Sequence, residues 1–238
     1  MTFDRDIFVQ ALTSAEFLHG AWLSVALAVV SMIFATVLGF GVALARISKV
    51  RTLRALGGAY VWFFRAIPTL LVLLIIWNAG PQLFPGLRDN WFTPFIAAFI
   101  GFAVVEAAYM AEILRSALLS VDEGQHLAAR AVGLRPHQVL LKVVLPQAVK
   151  VALPPTGNEF IAMLKYTSLA SVISLRELLT TAQVGVSVTF RYAEYYTAAL
   201  VYYLVIVSAL MGVQSLIERR YRWVSSGTPL PRKDTVPA

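Results

Sequence analysis

The sequence predicts an all-α integral membrane protein that crosses the bilayer five times. Of its 238 residues, 58% are hydrophobic and only 14% are charged, whereas soluble domains average about 45–50% apolar and about 25% charged residues. The net charge of +7 is interpreted as basic residues that hold cytoplasmic loops in place, not as a nucleic-acid surface. The chain has no cysteine, which excludes disulfides and Cys-based metal sites, and its histidines show no metal-ligand spacing.

Five apolar stretches are long enough to cross a membrane as helices, since a span needs about 20 mostly apolar residues. Residues 20–45 and 195–217 contain no charged side chain. The other stretches are interrupted, by Arg65 and Pro68 in the second and by Glu106 in the third, for example. The predicted spans are 21–45, 59–78, 95–114, 155–175 and 195–217.

The basic residues are distributed unequally between the two sides that these spans define. Fourteen lie in the loops and ends of one side and three on the other, and cytoplasmic segments carry the excess of Lys and Arg. We therefore expect the N-terminus outside the cell, the C-terminus inside and the loop between spans three and four in the cytoplasm. The chain would comprise an N-terminal extracytoplasmic segment (1–19), a transmembrane domain (20–222) and a cytoplasmic tail (223–238).

The cytoplasmic loop at about residues 121–146 is polar and rich in alanine, unlike the spans on either side. Asp122 is a good N-cap, and Gln125 three residues later completes a capping-box pattern. Gly133 suits the left-handed position that follows the end of a helix. The pattern predicts a short helix over residues 122–133.

Two prolines bound a second short helix in this loop. Pro136 fits the first turn of that helix, and Pro146 is expected to mark its end. Alanines on the first helix (Ala128, Ala129 and Ala131) would allow a soluble partner to approach closely. A solvated helix without a partner is an equal alternative at this point, because alanine is simply the best helix former.

Motifs spread along the chain resemble those of ABC importer permeases. The loop is similar to the EAA loop of that family, whose pattern is Glu-Ala-Ala, three residues, Gly, nine residues and Ile-x-Leu-Pro. Further motifs narrow the resemblance to permeases for polar amino-acid uptake, over about residues 20–220. The matching segments are 64–68 (Phe-Arg-Ala-Ile-Pro), 108–113 (Ala-Tyr-Met-Ala-Glu-Ile), 123–133, 143–146 (Val-Val-Leu-Pro), 153–155 (Leu-Pro-Pro), 158–160 (Asn-Glu-Phe) and 167–169 (Thr-Ser-Leu).

The resemblance implies the transmembrane domain of a type I ABC importer, in which a short cytoplasmic coupling helix docks in a groove of a separate ATPase. The chain itself is then no enzyme and holds no cofactor, and ATP and Mg are bound by the partner. In agreement, none of the five lysines follows a glycine, as the lysine of a P-loop does. The residues expected to couple to the ATPase are Glu123, Gly124, Ala128, Ala129, Arg130, Gly133 and Pro146.

The same resemblance implies the partners and the location. The partners are a cytoplasmic ATPase dimer, a second permease subunit (identical or paralogous), an extracytoplasmic solute-binding protein and a polar amino acid. The location is the bacterial cytoplasmic membrane. The chain departs from the family pattern at two positions. Leu127 stands where the motif has its glutamate, and Tyr166 occupies a position that is often aspartate in relatives.

Charged side chains inside the predicted spans suggest where the amino acid binds, since an ionised group at the bilayer centre costs about 2.5–3.5 kcal/mol on insertion scales. An amino acid carries both an ammonium and a carboxylate. We expect Glu106 and Glu159 to face the ammonium or a polar side chain, and the basic and hydroxyl groups to face the carboxylate. The alternative is that the charges pair between helices and hold the bundle together. The candidate substrate-binding residues are Arg65, Glu106, Asn158, Glu159, Lys165, Thr167 and Ser168.

The predicted function is therefore that of the channel subunit of an ATP-driven amino-acid importer that works by alternating access. An odd number of spans excludes an inverted repeat within one chain, so two such subunits would line the pathway. The alternative is an ion-gradient-driven secondary amino-acid transporter, with Glu106 and Glu159 as proton carriers.

Overall fold

The computed structural model of the protein describes residues 3–220, and in this part of the chain the backbone is helical, without a β-strand. The predicted tail (223–238) and the last residues of the predicted transmembrane domain lie outside the described residues. Between the α-helices, π-helical turns occupy Ile75–Ala79 and Leu140–Val144, and 3₁₀ segments occupy Pro85–Arg88 and Thr167–Ile173. The α-helices are α1 (Arg5–Thr13), α2 (Ala15–Ile47), α3 (Arg51–Ala66), α4 (Thr69–Leu74), α5 (Gly80–Leu83), α6 (Pro94–Leu119), α7 (Glu123–Ala131), α8 (Pro136–Val139), α9 (Leu145–Tyr166), α10 (Leu178–Thr189) and α11 (Tyr192–Arg220).

The N-terminal segment is helical and packs against the last span. Asp4 caps α1 by accepting hydrogen bonds from the N–H groups of Asp6 and Ile7. The Tyr202 hydroxyl of α11 donates to the Leu12 carbonyl at 2.8 Å. The first span, α2, begins only one residue after α1 ends, so it starts before the predicted residue 21.

The second predicted span is a bent pair of helices. α3 and the segment Thr69–Leu83 meet at an angle of 98°. The bend falls at Ile67 and Pro68, where Ile67 is extended (φ −96°, ψ 143°), because proline disfavours a helical conformation in the residue before it. Among the described residues, four helical stretches are long and apolar enough to span a membrane, and five if the bent pair counts as one span.

Pro146 does not end a short helix, so that prediction is wrong. Helical structure continues from Pro136 to Ile173, and Pro146 lies in the first turn of α9, directly after the π-helical turn Leu140–Val144. A proline in the first helical turn lacks only an N–H that needs no partner within the helix, so it is tolerated there. The loop that contains α7 is thus connected by one helical run to a membrane span.

The sequence did not predict α10, which at 12 residues is too short to cross a membrane alone. Its N-terminus is capped by the fully buried Glu177, whose carboxylate accepts hydrogen bonds from the N–H groups of Leu179 and Thr180, both at 2.8 Å. The Tyr203 hydroxyl of α11 donates to the same carboxylate at 3.2 Å. A buried carboxylate therefore fixes this half-length helix to α11.

The core lies between α2, α6 and α9. Small residues allow α2 and α6 to approach closely, as is usual in membrane helix pairs. A Cβ atom at Gly39 of α2 would lie 2.8 Å from Met110 Cβ and 2.9 Å from the Ala107 carbonyl oxygen of α6. This close packing sets the position of α6, which carries Glu106.

Candidate functional site

A cavity of 170 Å³ lies within the membrane-spanning part of the chain, between α4, α6 and α9. Two carboxylates and three hydroxyl groups line it, together with apolar side chains. No basic residue is among the described residues that line it. The lining residues are Thr69, Phe102, Val105, Glu106, Tyr109, Glu159, Met163 and Tyr166.

Glu106 is the most deeply buried charged group of this cavity. Its exposed fraction is 4%, and within the described part of the chain its Oε1 atom has no hydrogen-bond partner. Glu159 of α9 is half-buried and lines the same cavity. Because a buried polar atom without a partner is costly and rare, Glu106 indicates that the cavity receives a donor group from outside the chain.

Arg65 lies at the edge of this site without lining the cavity. It is in the last turn of α3, just before the bend, and its guanidinium carbon lies 5.3 Å from the ring centroid of Tyr109. This distance is typical of a cation–π contact. Arg65 is exposed, and it adjoins the cavity through Tyr109, which is one of the lining residues.

The structure does not bring the other four candidates to the cavity. The hydroxyl of Thr167 donates to the Leu164 carbonyl at 2.7 Å, and that of Ser168 to the Lys165 carbonyl at 2.8 Å. Both hydroxyls therefore donate their hydrogen bonds to backbone carbonyls of their own helical segment. Lys165 is exposed and is not among the lining residues.

Asn158 makes a contact between helices. The Gln214 side chain of α11 donates from Nε2 to Asn158 Oδ1 at 3.0 Å and to the Pro154 carbonyl at 3.3 Å. A Cβ atom at Gly157 would lie 2.9 Å from the Gln214 side chain. Asn158 thus holds α9 against α11.

Helical spacing in the sequence places Met163 and Tyr166 on one face with Glu159, although neither is among the candidate residues, whereas Tyr109 and Thr69 were missed. Tyr109 follows Glu106 by three residues, and Met163 and Tyr166 follow Glu159 by four and seven, so they share a helix face with these carboxylates. Thr69 had no such signal, because it reaches the cavity only through the bend after α3.

The expected alternative of charge pairing between helices does hold for Glu112. This carboxylate of α6 forms a salt bridge with Arg46 of α2 and another, at 3.1 Å, with Arg115. Glu112 therefore joins two helices near their ends, and it is not part of the cavity.

The second candidate site is the short helix α7 in the loop that follows α6. The Asp122 carboxylate accepts a hydrogen bond from the Gly124 N–H at 2.8 Å, as the N-cap prediction requires. At the other end Gly133 is left-handed (φ +82°), and its N–H donates to the Arg130 carbonyl at 2.9 Å, while the Leu134 N–H donates to the Ala129 carbonyl. These two bonds form a Schellman motif, and the predicted helix end is confirmed.

One of the small residues of α7 faces inwards. Ala129 is 6% exposed and packs in a cluster with Val144, Ala148 and Ala152 of the following helical run. It therefore anchors α7 to its own chain, contrary to the expectation that it faces a partner. The other residues expected to couple are exposed, namely Glu123, Gly124, Ala128, Arg130, Gly133 and Pro146.

The free face of α7 is partly apolar. Leu127 is 61% exposed and Val132, just after the helix, is 77% exposed. Leu127, which replaces the motif's glutamate, thus lies on the outward side.

Comparison with known proteins identifies the family. Residues 35–223 match the sequence model of a protein family described as the binding-protein-dependent transport system inner membrane component. The matched residues include both the cavity and α7. The chain belongs to this family. Its members are permease subunits of ABC transporters, and this favours an ATP-driven permease over the ion-gradient alternative.

Relatives of the permease are similar over most of their length. The probable amino-acid permease protein YxeN of Bacillus subtilis (strain 168) is 40% identical over 193 residues, which are 81% of this chain and 85% of that protein. The L-cystine transport system permease protein TcyB of the same organism is 39% identical over 202 residues, or 84% of each chain.

A solved structure confirms the fold class. A chain in the crystal structure of an amino acid ABC transporter with histidines is 33% identical to the permease and superposes with a TM-score of 0.82. The match covers 92% of this chain and 100% of that one. The permease therefore has the fold of a type I ABC importer transmembrane domain.

Proposed function

We propose that the permease is the channel subunit of an importer in the bacterial cytoplasmic membrane, which moves a polar amino acid inwards by alternating access. A separate ATPase dimer in the cytoplasm binds ATP and Mg and docks on α7. An extracytoplasmic binding protein delivers the amino acid. The N-terminus then lies outside and the C-terminus inside, in keeping with the excess of basic residues on one side.

The observation that carries this proposal is the packing between α7 and the helical run that lines the cavity. Ala129 of α7 contacts the same cluster as Ala148 and Ala152 of α9, and α9 continues to Glu159 at the cavity. A force applied to α7 therefore acts on the helix that carries Glu159, because packed helices move as rigid elements.

The cavity is the proposed contact site for the amino acid. Glu106 and Glu159 face its ammonium group, and Arg65 at the edge of the site faces its carboxylate. The cavity volume of 170 Å³ is below the range of about 300–1,000 Å³ that is usual for a ligand pocket. A second permease subunit, identical or paralogous, is proposed to complete the pathway.

The docking surface is tested by placing a long charged side chain on the exposed face of α7. Ala128→Arg would project from that face without disturbing the packing of Ala129. We expect ATP-driven amino-acid uptake to fall at least about tenfold in proteoliposomes, because burying an unpaired charge at an interface costs several kcal/mol. The ATPase should also co-purify less well with the variant.

The matched control is Ala55→Arg, which adds the same side chain at an exposed position of α3. It should leave both uptake and co-purification within about twofold of wild type, as expected for a surface substitution. Normal uptake by Ala128→Arg, or equal losses in both variants, would contradict docking through α7.

A further inference from the structure

The charges around the cavity do not balance. Glu106 and Glu159 line it, and the nearby Glu112 is already paired with Arg46 and Arg115. Arg65 is the basic residue in contact with the wall of the cavity, through the ring of Tyr109. Among the described residues, the cavity and its wall therefore bring two carboxylates and one guanidinium into the same region.

Among the described residues, Arg65 forms no salt bridge with either of these carboxylates. Within residues 3–220, the guanidinium of Arg65 is not within 4.0 Å of any carboxylate oxygen. Its close partner is the face of Tyr109, at 5.3 Å. The carboxylate of Glu106 meanwhile has an oxygen without a partner.

We propose that Arg65 is a specificity-determining residue, the built-in counter-ion of the cavity, which sets how strongly a cationic amino acid is preferred over a neutral one. The proposal rests on the proposed function, since it assumes that an amino acid enters this cavity. With one guanidinium against two carboxylates, the site accepts cationic and neutral amino acids and rejects anionic ones.

The physical reason is competition for the same carboxylates. A cationic side chain in the cavity is attracted by Glu106 and Glu159 and repelled by Arg65, whereas a neutral side chain feels neither effect. The α-ammonium and α-carboxylate are common to all amino acids, so their contacts cancel when two substrates are compared. At an effective dielectric constant near 20, one unit charge several ångströms away changes an affinity by about tenfold or more.

The test is equilibrium binding of radiolabelled L-lysine, L-glutamine and L-glutamate, which have similar lengths and different charges. The protein is the complex of the permease with its ATPase in nanodiscs, without the binding protein, whose own selectivity would mask that of the permease. The measured quantity is the ratio of the dissociation constants for glutamine and lysine. A general loss of binding does not change this ratio.

We expect Arg65→Gln to raise the preference for lysine about tenfold, and Glu159→Gln to lower it about tenfold. Arg65→Lys, which keeps the charge, should leave the ratio within about twofold, since the Coulomb interaction depends on charge. Arg54→Gln is the matched control, because it removes the same charge from an exposed position of α3 about three helical turns from Arg65, and it should have no effect on the ratio.

A ratio that is unchanged in Arg65→Gln, or tight binding of glutamate by the wild type, would overturn this assignment. If Arg65→Gln does not assemble, Arg65→Met, which also removes the charge, takes its place. A complex that carries out ATP-driven uptake in proteoliposomes, with its binding protein present, but binds none of the three amino acids in nanodiscs also overturns the assignment. A complex that shows neither uptake nor binding contradicts the proposed function itself.

Discussion

The short helix α7 and the intramembrane cavity are both polar regions in an apolar chain, but they are built in different ways. α7 is fixed by neighbours in sequence, with Asp122 at one end and Gly133 at the other, and it buries little besides Ala129. The cavity is fixed by residues from three helices that are far apart in sequence. Local backbone chemistry therefore determines the first region, and helix packing determines the second.

This difference predicts that the two regions respond to different substitutions. The largest effect is expected for the α2–α6 packing that positions the cavity helix α6, through Gly39→Val. The added side chain would meet Met110 Cβ and the backbone of α6, and neither can move without separating α2 from α6. Overpacking of this kind costs about 3 kcal/mol, so the melting temperature of the purified complex should fall by about 6–12 °C.

Gly41→Val is the control, since a Cβ atom at Gly41 meets nothing within 4 Å. It is on the same helix and adds the same side chain, but its melting temperature should stay close to that of wild type. If the two variants had the same melting temperature, the loss of stability would come from valine in the helix and not from the α2–α6 contact.

An intermediate effect is expected for the local region, through Gly133→Val. Valine in a left-handed conformation costs about 1–2 kcal/mol, and this strain would unwind the end of α7. We expect the ATPase to dissociate more readily in a co-purification assay, while the melting temperature of the permease alone changes little. Gly133→Asn should retain most of the association, because asparagine tolerates this conformation.

The smallest change in free energy, and one of opposite sign, is expected for Glu106→Gln. The substitution replaces a buried carboxylate that lacks a partner with a neutral group of the same shape. Removing an unpaired buried charge should stabilise the permease by about 1 kcal/mol, or about 2–4 °C. Uptake should nevertheless fall about tenfold, because the ammonium of the amino acid loses its partner.

A thermal melt of the complex and a transport assay on the same preparation measure both quantities. A loss of stability in Glu106→Gln would show that the carboxylate holds the bundle together, and unchanged uptake would show that it does not contact the amino acid.

Much of α7 could be predicted because its signals lie within a dozen residues. The N-cap at Asp122 and the left-handed Gly133 are confirmed, since capping depends on backbone groups of the same segment. Pro146 was misread because a π-helical turn before it allows the helix to continue, and such a turn has no simple sequence signature.

The cavity was predicted in part. Glu106 and Glu159 were found because ionisable groups are rare inside membrane spans and mark functional positions. The hydroxyls of Thr167 and Ser168 were misplaced, since each donates to its own helical segment. Asn158 faces Gln214, a residue 56 positions away that no spacing rule connects to it.

The sequence by itself determined that this chain is a helical membrane protein with a short capped helix, α7, outside the spans, because each span must satisfy its backbone hydrogen bonds internally and can be recognised from its own composition. Only the tertiary structure decided which helix faces meet, and hence that Glu106 has an oxygen without a partner and that Arg65 stacks on Tyr109 beside the cavity. The physical reason is that helix contacts depend on the fit of side chains distant in sequence, as at Gly39.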